Sequence, residues 1–309
     1  MLRVVACGVA ALLLQGCLPE QTIRLRQEHA DVLHQDVHLA VPFIPQADYQ
    51  CGPASLGMEL AWLHHPVSQQ SLIASLYVPG RKGAFKEEMI AQARRQGMMV
   101  LPVGPEVKDV LLNLEQHRAP IVLLNLALNF WPRWHFAVVT GFDAQRQEFI
   151  LHSGQHEQER LPLPVMERVW VRGGSWAIVL IDPDHLPADV PVADLLKSAV
   201  DLERVHPRLA THVYAALAIR QPKDERIPLF LGNAFRSAGD LVHAEAAYRQ
   251  AMDLQPNDWV VMNNLADLLW HEARLAEAKR WAQQAVLHAP VSSRSWAEAT
   301  LQEINHAHP

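Results

Sequence analysis

One cysteine and one histidine stand out by what surrounds them. Cys51 opens the run Cys51-Gly52-Pro53-Ala54-Ser55-Leu56, and the spacing of Leu56, Leu60 and Leu63 predicts a helix over residues 51–64. A thiol at the start of a helix sits at the positive end of the macrodipole, which lowers its pKa and raises the thiolate fraction. Pro53 costs little in a first turn, where its N–H would be unpaired anyway, and Gly52 permits close backbone approach. Gln46 and Gln50 precede the thiol, and a glutamine amide can donate to a developing oxyanion. Further on, Trp134-His135-Phe136-Ala137-Val138-Val139 places an imidazole at the start of an apolar strand. So held, it can pair with the thiolate and later protonate a leaving amine. The chemistry these residues could do is acyl transfer through a cysteine nucleophile.

Such residues must be held by a core. Alternation at Val37, Leu39, Val41 and Phe43 predicts a strand, and residues 45–50 read as a loop. Helices are expected over 84–96 and 106–117. Strands are expected over 98–103, 120–126, 135–142, 148–151 and 176–181. Helices first and clustered strands later give an α+β order, with this unit spanning residues 37–186. The aromatic run Phe130-Trp131-Pro132-Arg133-Trp134 either lines a cleft or packs a sheet edge.

Residues 187–309 follow another rule. Pro222, Pro256 and Pro290 are spaced by 34, as are Ala210, Ala244 and Ala278, and Tyr214 matches Tyr248. This period resembles the tetratricopeptide repeat. It implies a degenerate unit at 191–224, repeats at 225–258 and 259–292, and a capping helix at 293–306, an all-α solenoid that binds a protein partner.

The chain has 309 residues, 50% of them apolar and 19% charged, as in ordinary globular domains. With 27 basic against 33 acidic residues the formal charge is −6, and no basic surplus points to nucleic acid. His64-His65 and His306-Ala307-His308 supply no third ligand at metal spacing, so neither a metal nor another cofactor is expected. Residues 4–14 are apolar or small, too short to span a bilayer but suited to a signal-peptide core. They lead to Leu14-Gln15-Gly16-Cys17, which resembles the bacterial lipobox. That resemblance implies a signal peptide at 1–16 and lipid attachment at Cys17. Leu18 in place of Asp implies an outer-membrane lipoprotein facing the periplasm, with residues 17–36 as a tether carrying at most one short helix. Of three cysteines, Cys7 then leaves with the signal and Cys17 carries lipid. Cys51 is left as the single free thiol of the mature chain, unusual in an oxidising compartment.

Residues 37–185 resemble the papain-like cysteine peptidases of the bacteriocin-processing type, which cut after double-glycine leaders. The Gln, the Cys-Gly-Pro-Ala run and the His-aromatic-Val-Val-x-Gly run match in order. The resemblance implies Cys51 as nucleophile, His135 as general base and acid, and Gln46, with Gln50 as alternative, as oxyanion donor. The family carries Asp on the strand after the histidine. Here that strand reads Phe149-Ile150-Leu151-His152-Ser153-Gly154, so Ser153, or His152, stands where Asp is expected. A hydroxyl can orient an imidazole but brings no charge. Asp143 and Asp182 are the other acidic candidates, the first more suited to a turn and the second to a strand end.

The expected function is a lipid-anchored envelope cysteine peptidase that acts on a peptide or protein and uses its repeats for binding. The residues after 186 read as repeats and not as a transporter, so a leader-cutting role inside an export transporter is not expected. The alternative is a catalytically degenerate papain-like domain acting as a periplasmic adaptor. An acyltransferase or amidase would share the first chemical half.

Overall fold

A computed structural model describes residues 18–306, apart from Lys82. The expected signal peptide, Cys7 and Cys17 lie outside the described residues, as do Ala307 and His308. Among the described residues no helix is long and apolar enough to cross a membrane. The chain divides into two compact units. The first holds the residues up to Gln96 and Val100–Leu180, the second Gly97–Met99 and the residues from Ile181 onward.

The first unit is α+β. Its helices are α1 (Glu20–Glu28), α2 (Cys51–Trp62), α3 (Gln69–Leu76), α4 (Lys86–Arg95), α5 (Val107–Glu115) and α6 (Leu163–Arg172). Its strands are β1 (Val37–His38), β2 (Met99–Pro102), β3 (Ile121–Asn125), β4 (Trp134–Asp143), β5 (Glu148–Ser153), β6 (His156–Pro162) and β7 (Ala177–Ile181). They form one sheet in the order β2-β7-β3-β4-β5-β6, with β1 paired to the far end of β4. From β7 through β6 the pairs are antiparallel. Ile121, Val122, Ala137, Val138, Val139 and Leu151 are fully buried at its centre, which is why the apolar runs read as strands.

Helix α2 packs on β4 and against α3 and α4. Gly52 through Leu60 are all buried, so this helix is enclosed on every side instead of showing a polar face. A Cβ at Gly52 would stand 2.7 Å from the Cβ of Ala84, so the close approach expected there is real. Three elements were not expected: α3, α6 and β6. Strand β6 is a polar edge strand, exposed or half-buried along its length, and carries no apolar alternation to read.

The segment expected as a tether is folded from Glu20 on. Thr22 and Leu25 of α1 are buried. The Glu167 carboxylate accepts from the Gln21 N–H at 2.9 Å, and from the Thr22 N–H and hydroxyl at 2.6 Å each, closing the helix start that Pro19 leaves uncapped. A 3₁₀ turn at Ala30–Leu33 buries Val32 and Leu33.

The second unit is all-α: α7 (Val192–Glu203), α8 (Pro207–Arg220), α9 (Arg226–Ser237), α10 (Leu241–Leu254), α11 (Trp259–His271), α12 (Leu275–His288) and α13 (Arg294–His306). Each 34-residue period holds one helix pair. The period's alanines, Ala210, Ala244 and Ala278, are fully buried where the helices meet. Tyr214 donates to Glu203 at 2.9 Å and Tyr248 to Asn233 at 2.8 Å, so the paired tyrosines bury a ring and satisfy its hydroxyl. An α+β unit followed by an all-α repeat unit is the fold class the sequence predicts.

Candidate active site

Cys51, His135, Gln46 and Ser153 line one cavity of 1010 Å³ in the first unit. Each comes from a different element. Cys51 begins α2, His135 is the second residue of β4, Ser153 ends β5, and Gln46 lies in the loop before α2. The loop is tied to the β5–β6 hairpin, since Gln46 N–H donates to the Gly154 carbonyl at 3.1 Å and the Gln155 amide donates to the Gln46 carbonyl. That hairpin turns on two residues between Ser153 and His156, with Gly154 at φ +61°.

His135 Nε2 lies 3.0 Å from Ser153 Oγ. Ser153 therefore occupies the position beside the imidazole, and His152 does not. His152 points to the opposite face, where its Nε2 lies 2.9 Å from the Val41 carbonyl and its ring meets Phe43 edge-on. The acidic candidates are also placed elsewhere. Asp143 sits at the far end of β4 with Arg160 at 2.8 Å, and Asp182 holds His185 at 2.8 Å in the second unit.

Gln46 is 5% exposed, and neither atom of its amide has a hydrogen-bond partner. A buried donor without a partner, on a residue that lines the cavity, is what an oxyanion site requires. Gln50 is the residue before α2, makes no side-chain cap bond and does not line the cavity.

The electrostatics correct one expectation. Burial raises the Cys51 thiol above its ordinary value, although the backbone N–H groups of Phe136, Gly52 and Cys51 pull it down. The helix start does favour the thiolate as predicted, but desolvation is the larger effect. Burial likewise lowers His135. Glu159 acts to raise it and Arg133 to lower it. In both groups burial works against the charged form, so the cavity as it stands does not favour a thiolate–imidazolium pair.

The aromatic run before His135 does not pack a sheet edge. Phe130 is 83% and Trp131 77% exposed, while Trp134 lines the cavity mouth beside Leu126 and Arg133. Sequence reasoning missed Glu159, which lines the same cavity from β6. The only signal for it was the short turn at Gly154, from which a returning strand and its register could have been counted.

Comparison with known proteins bears on each unit separately. The tetratricopeptide repeat model matches residues 235–308. No curated protein matches the chain. Among solved structures, a C39-like peptidase from Bacillus anthracis is similar, at 17% identity and a TM-score of 0.40, over 48% of this chain and 98% of that one. A double glycine motif protease from an AMS/PCAT transporter, solved with its leader peptide, is similar at 20% identity and a TM-score of 0.35, over 47% and 96%. The type III secretion translocator chaperone SycD of Yersinia enterocolitica is similar at 20% identity and a TM-score of 0.35, over 37% and 83%.

Proposed function

We propose that the protein is a cysteine peptidase with a protein-binding repeat unit, held at the periplasmic face of the outer membrane by lipid on Cys17. The observation that carries the catalytic part is the 3.0 Å contact of His135 Nε2 with Ser153 Oγ, in a cavity also lined by Cys51 and by Gln46, whose amide has no partner. The lipid part rests on the sequence around Cys17 alone.

With Nε2 occupied by Ser153, the ring nitrogen that serves the thiol is Nδ1. The Ser153 hydroxyl accepts Nε2–H, which leaves the Nδ1 lone pair as the base. Burial disfavours charge on both groups, and the thiol proton passes to Nδ1 as the sulfur–carbon bond forms. The carbonyl electron pair moves onto oxygen, where the Gln46 amide donates. The tetrahedral intermediate then expels the amine, which takes the proton from the imidazolium and leaves a thioester. Water, deprotonated by His135, hydrolyses the thioester and restores the thiol.

A second reading, a cleft kept for binding alone, is favoured by the upward push of burial on the half-buried thiol and by the uncharged residue beside His135. One experiment separates the two. The full chain carrying Cys7→Ser and Cys17→Ser has Cys51 as its one thiol and is mixed with 4-nitrophenyl acetate. A burst of one equivalent of 4-nitrophenolate, absent in Cys51→Ala, supports acyl transfer. Incubation with a peptide library must then yield new termini that Cys51→Ala does not produce. Absence of the burst from folded protein overturns the acyl-transfer reading.

A further inference from the structure

We infer that Glu159 on β6 is a positioning residue that supplies the negative charge missing beside His135, so that the acid absent from β5 is replaced from the neighbouring strand. This rests on the peptidase reading for its use in catalysis, but the pairing of Glu159 with His135 can be tested without it.

Strand register sets the face that Glu159 occupies, level with Val139 and four residues along β4 from His135. Val139 of β4 pairs with Leu151 of β5, and Leu151 pairs with Glu159 of β6. Directly paired residues share a face of a sheet, so these three form a row across three strands. His135 is four residues before Val139, and Ser153 is two after Leu151. Even offsets keep both on that face, and the contact of His135 with Ser153 confirms it. Glu159 is half-buried and lines the cavity with Cys51, His135 and Ser153. The other charged or titratable groups lining the cavity are Asp48, Tyr49, Lys86, Glu87, Arg133 and His156.

The chemistry gives that carboxylate work to do. As general base His135 must take the thiol proton, so an imidazolium appears in a partly buried place that disfavours it. Ser153 fixes the ring but offers no charge. Arg133 opposes the new charge and Glu159 favours it, the two effects felt most by His135 after burial itself.

The test is the imidazole titration of His135 followed by NMR in the full chain with Cys7→Ser and Cys17→Ser. The His135 signal is identified by its loss in His135→Asn. Glu159→Gln removes the charge and keeps the shape. It is expected to lower the His135 midpoint and to slow the 4-nitrophenyl acetate burst by about fivefold, as a loss of under one pH unit of imidazolium stabilisation implies. Glu159→Asp should recover part of both effects, and Arg133→Gln should raise the midpoint. An unmoved midpoint in Glu159→Gln overturns the inference, whether or not Cys51 acylates. A midpoint that falls in Glu159→Gln, in a protein that shows no burst, upholds the pairing and overturns the peptidase reading.

Discussion

The two units differ in what they leave unpaired inside. In the α+β unit the buried amide of Gln46, the Ser55 hydroxyl, one Glu59 oxygen and His152 Nδ1 have no hydrogen-bond partner. In the repeat unit the one such side-chain atom among the described residues is Asn263 Oδ1, while Tyr214 and Tyr248 are both satisfied. Orphaned buried groups cost about 1–3 kcal/mol each, so the first unit carries a burden that the second does not. The repeat unit is built from alanine contacts and satisfied rings, and its chemistry is packing. The α+β unit leaves polar atoms unpaired, and one of them, the Gln46 amide, belongs to a residue that lines the cavity with Cys51 and His135.

This contrast can be broken or sharpened by experiment, beginning with the largest effect. Replacing Cys51 with Ala should reduce acyl transfer to background in the burst assay. His135→Ala should cost about 10³-fold in burst rate, the scale of a lost general base. An equal rate in the two chains would remove the site from the comparison. Leu265→Ala, at a fully buried position of α11, should destabilise the repeat unit by about 3 kcal/mol in urea unfolding. It should leave the burst intact, as expected if the two units fold on separate cores.

Ser153→Ala should slow the burst by about tenfold, since it removes orientation but not the base. Ser153→Asp should speed it by supplying charge as well. The smallest effects are in pH. Burial raises the Cys51 thiol, so its iodoacetamide labelling should climb with a midpoint above the free-thiol value of about 8.5. A midpoint near 6 would show that the helix start outweighs burial after all. Glu59 lies on α2 one turn beyond Ser55, and burial pushes its carboxyl well above the ordinary range. A carboxyl raised in the folded state costs stability when it ionises, so stability falls as pH rises above the unfolded value. The melting temperature of the wild type relative to Glu59→Gln should therefore decline from pH 5 to pH 8.

Much of this was legible in the residues. The 34-residue spacing of Pro222, Pro256 and Pro290 fixes the repeat unit because each helix pair must meet the next in the same way. Cys51 and His135 are legible because a helix start and an apolar strand start both have patterns of their own. What was not legible is β6. Its sequence, His156 to Pro162, faces solvent and carries no alternation, so neither the strand nor Glu159 can be found from periodicity. The upward push of burial on the Cys51 thiol is hidden from the sequence for a related reason. The helix start is written in the sequence, but the enclosure of α2 on all sides is a property of the assembled unit.

The clamp of Glu167 on the start of α1 has a consequence for geography. Only Leu18 and Pro19 separate Cys17 from that helix. Three residue steps reach at most about 10 Å. On the lipid-anchored reading, the α+β unit would ride on the bilayer like a buoy on a short chain. Its cavity would then sweep a thin layer of the periplasm parallel to the membrane, and molecules delivered to that layer would meet it by searching in two dimensions.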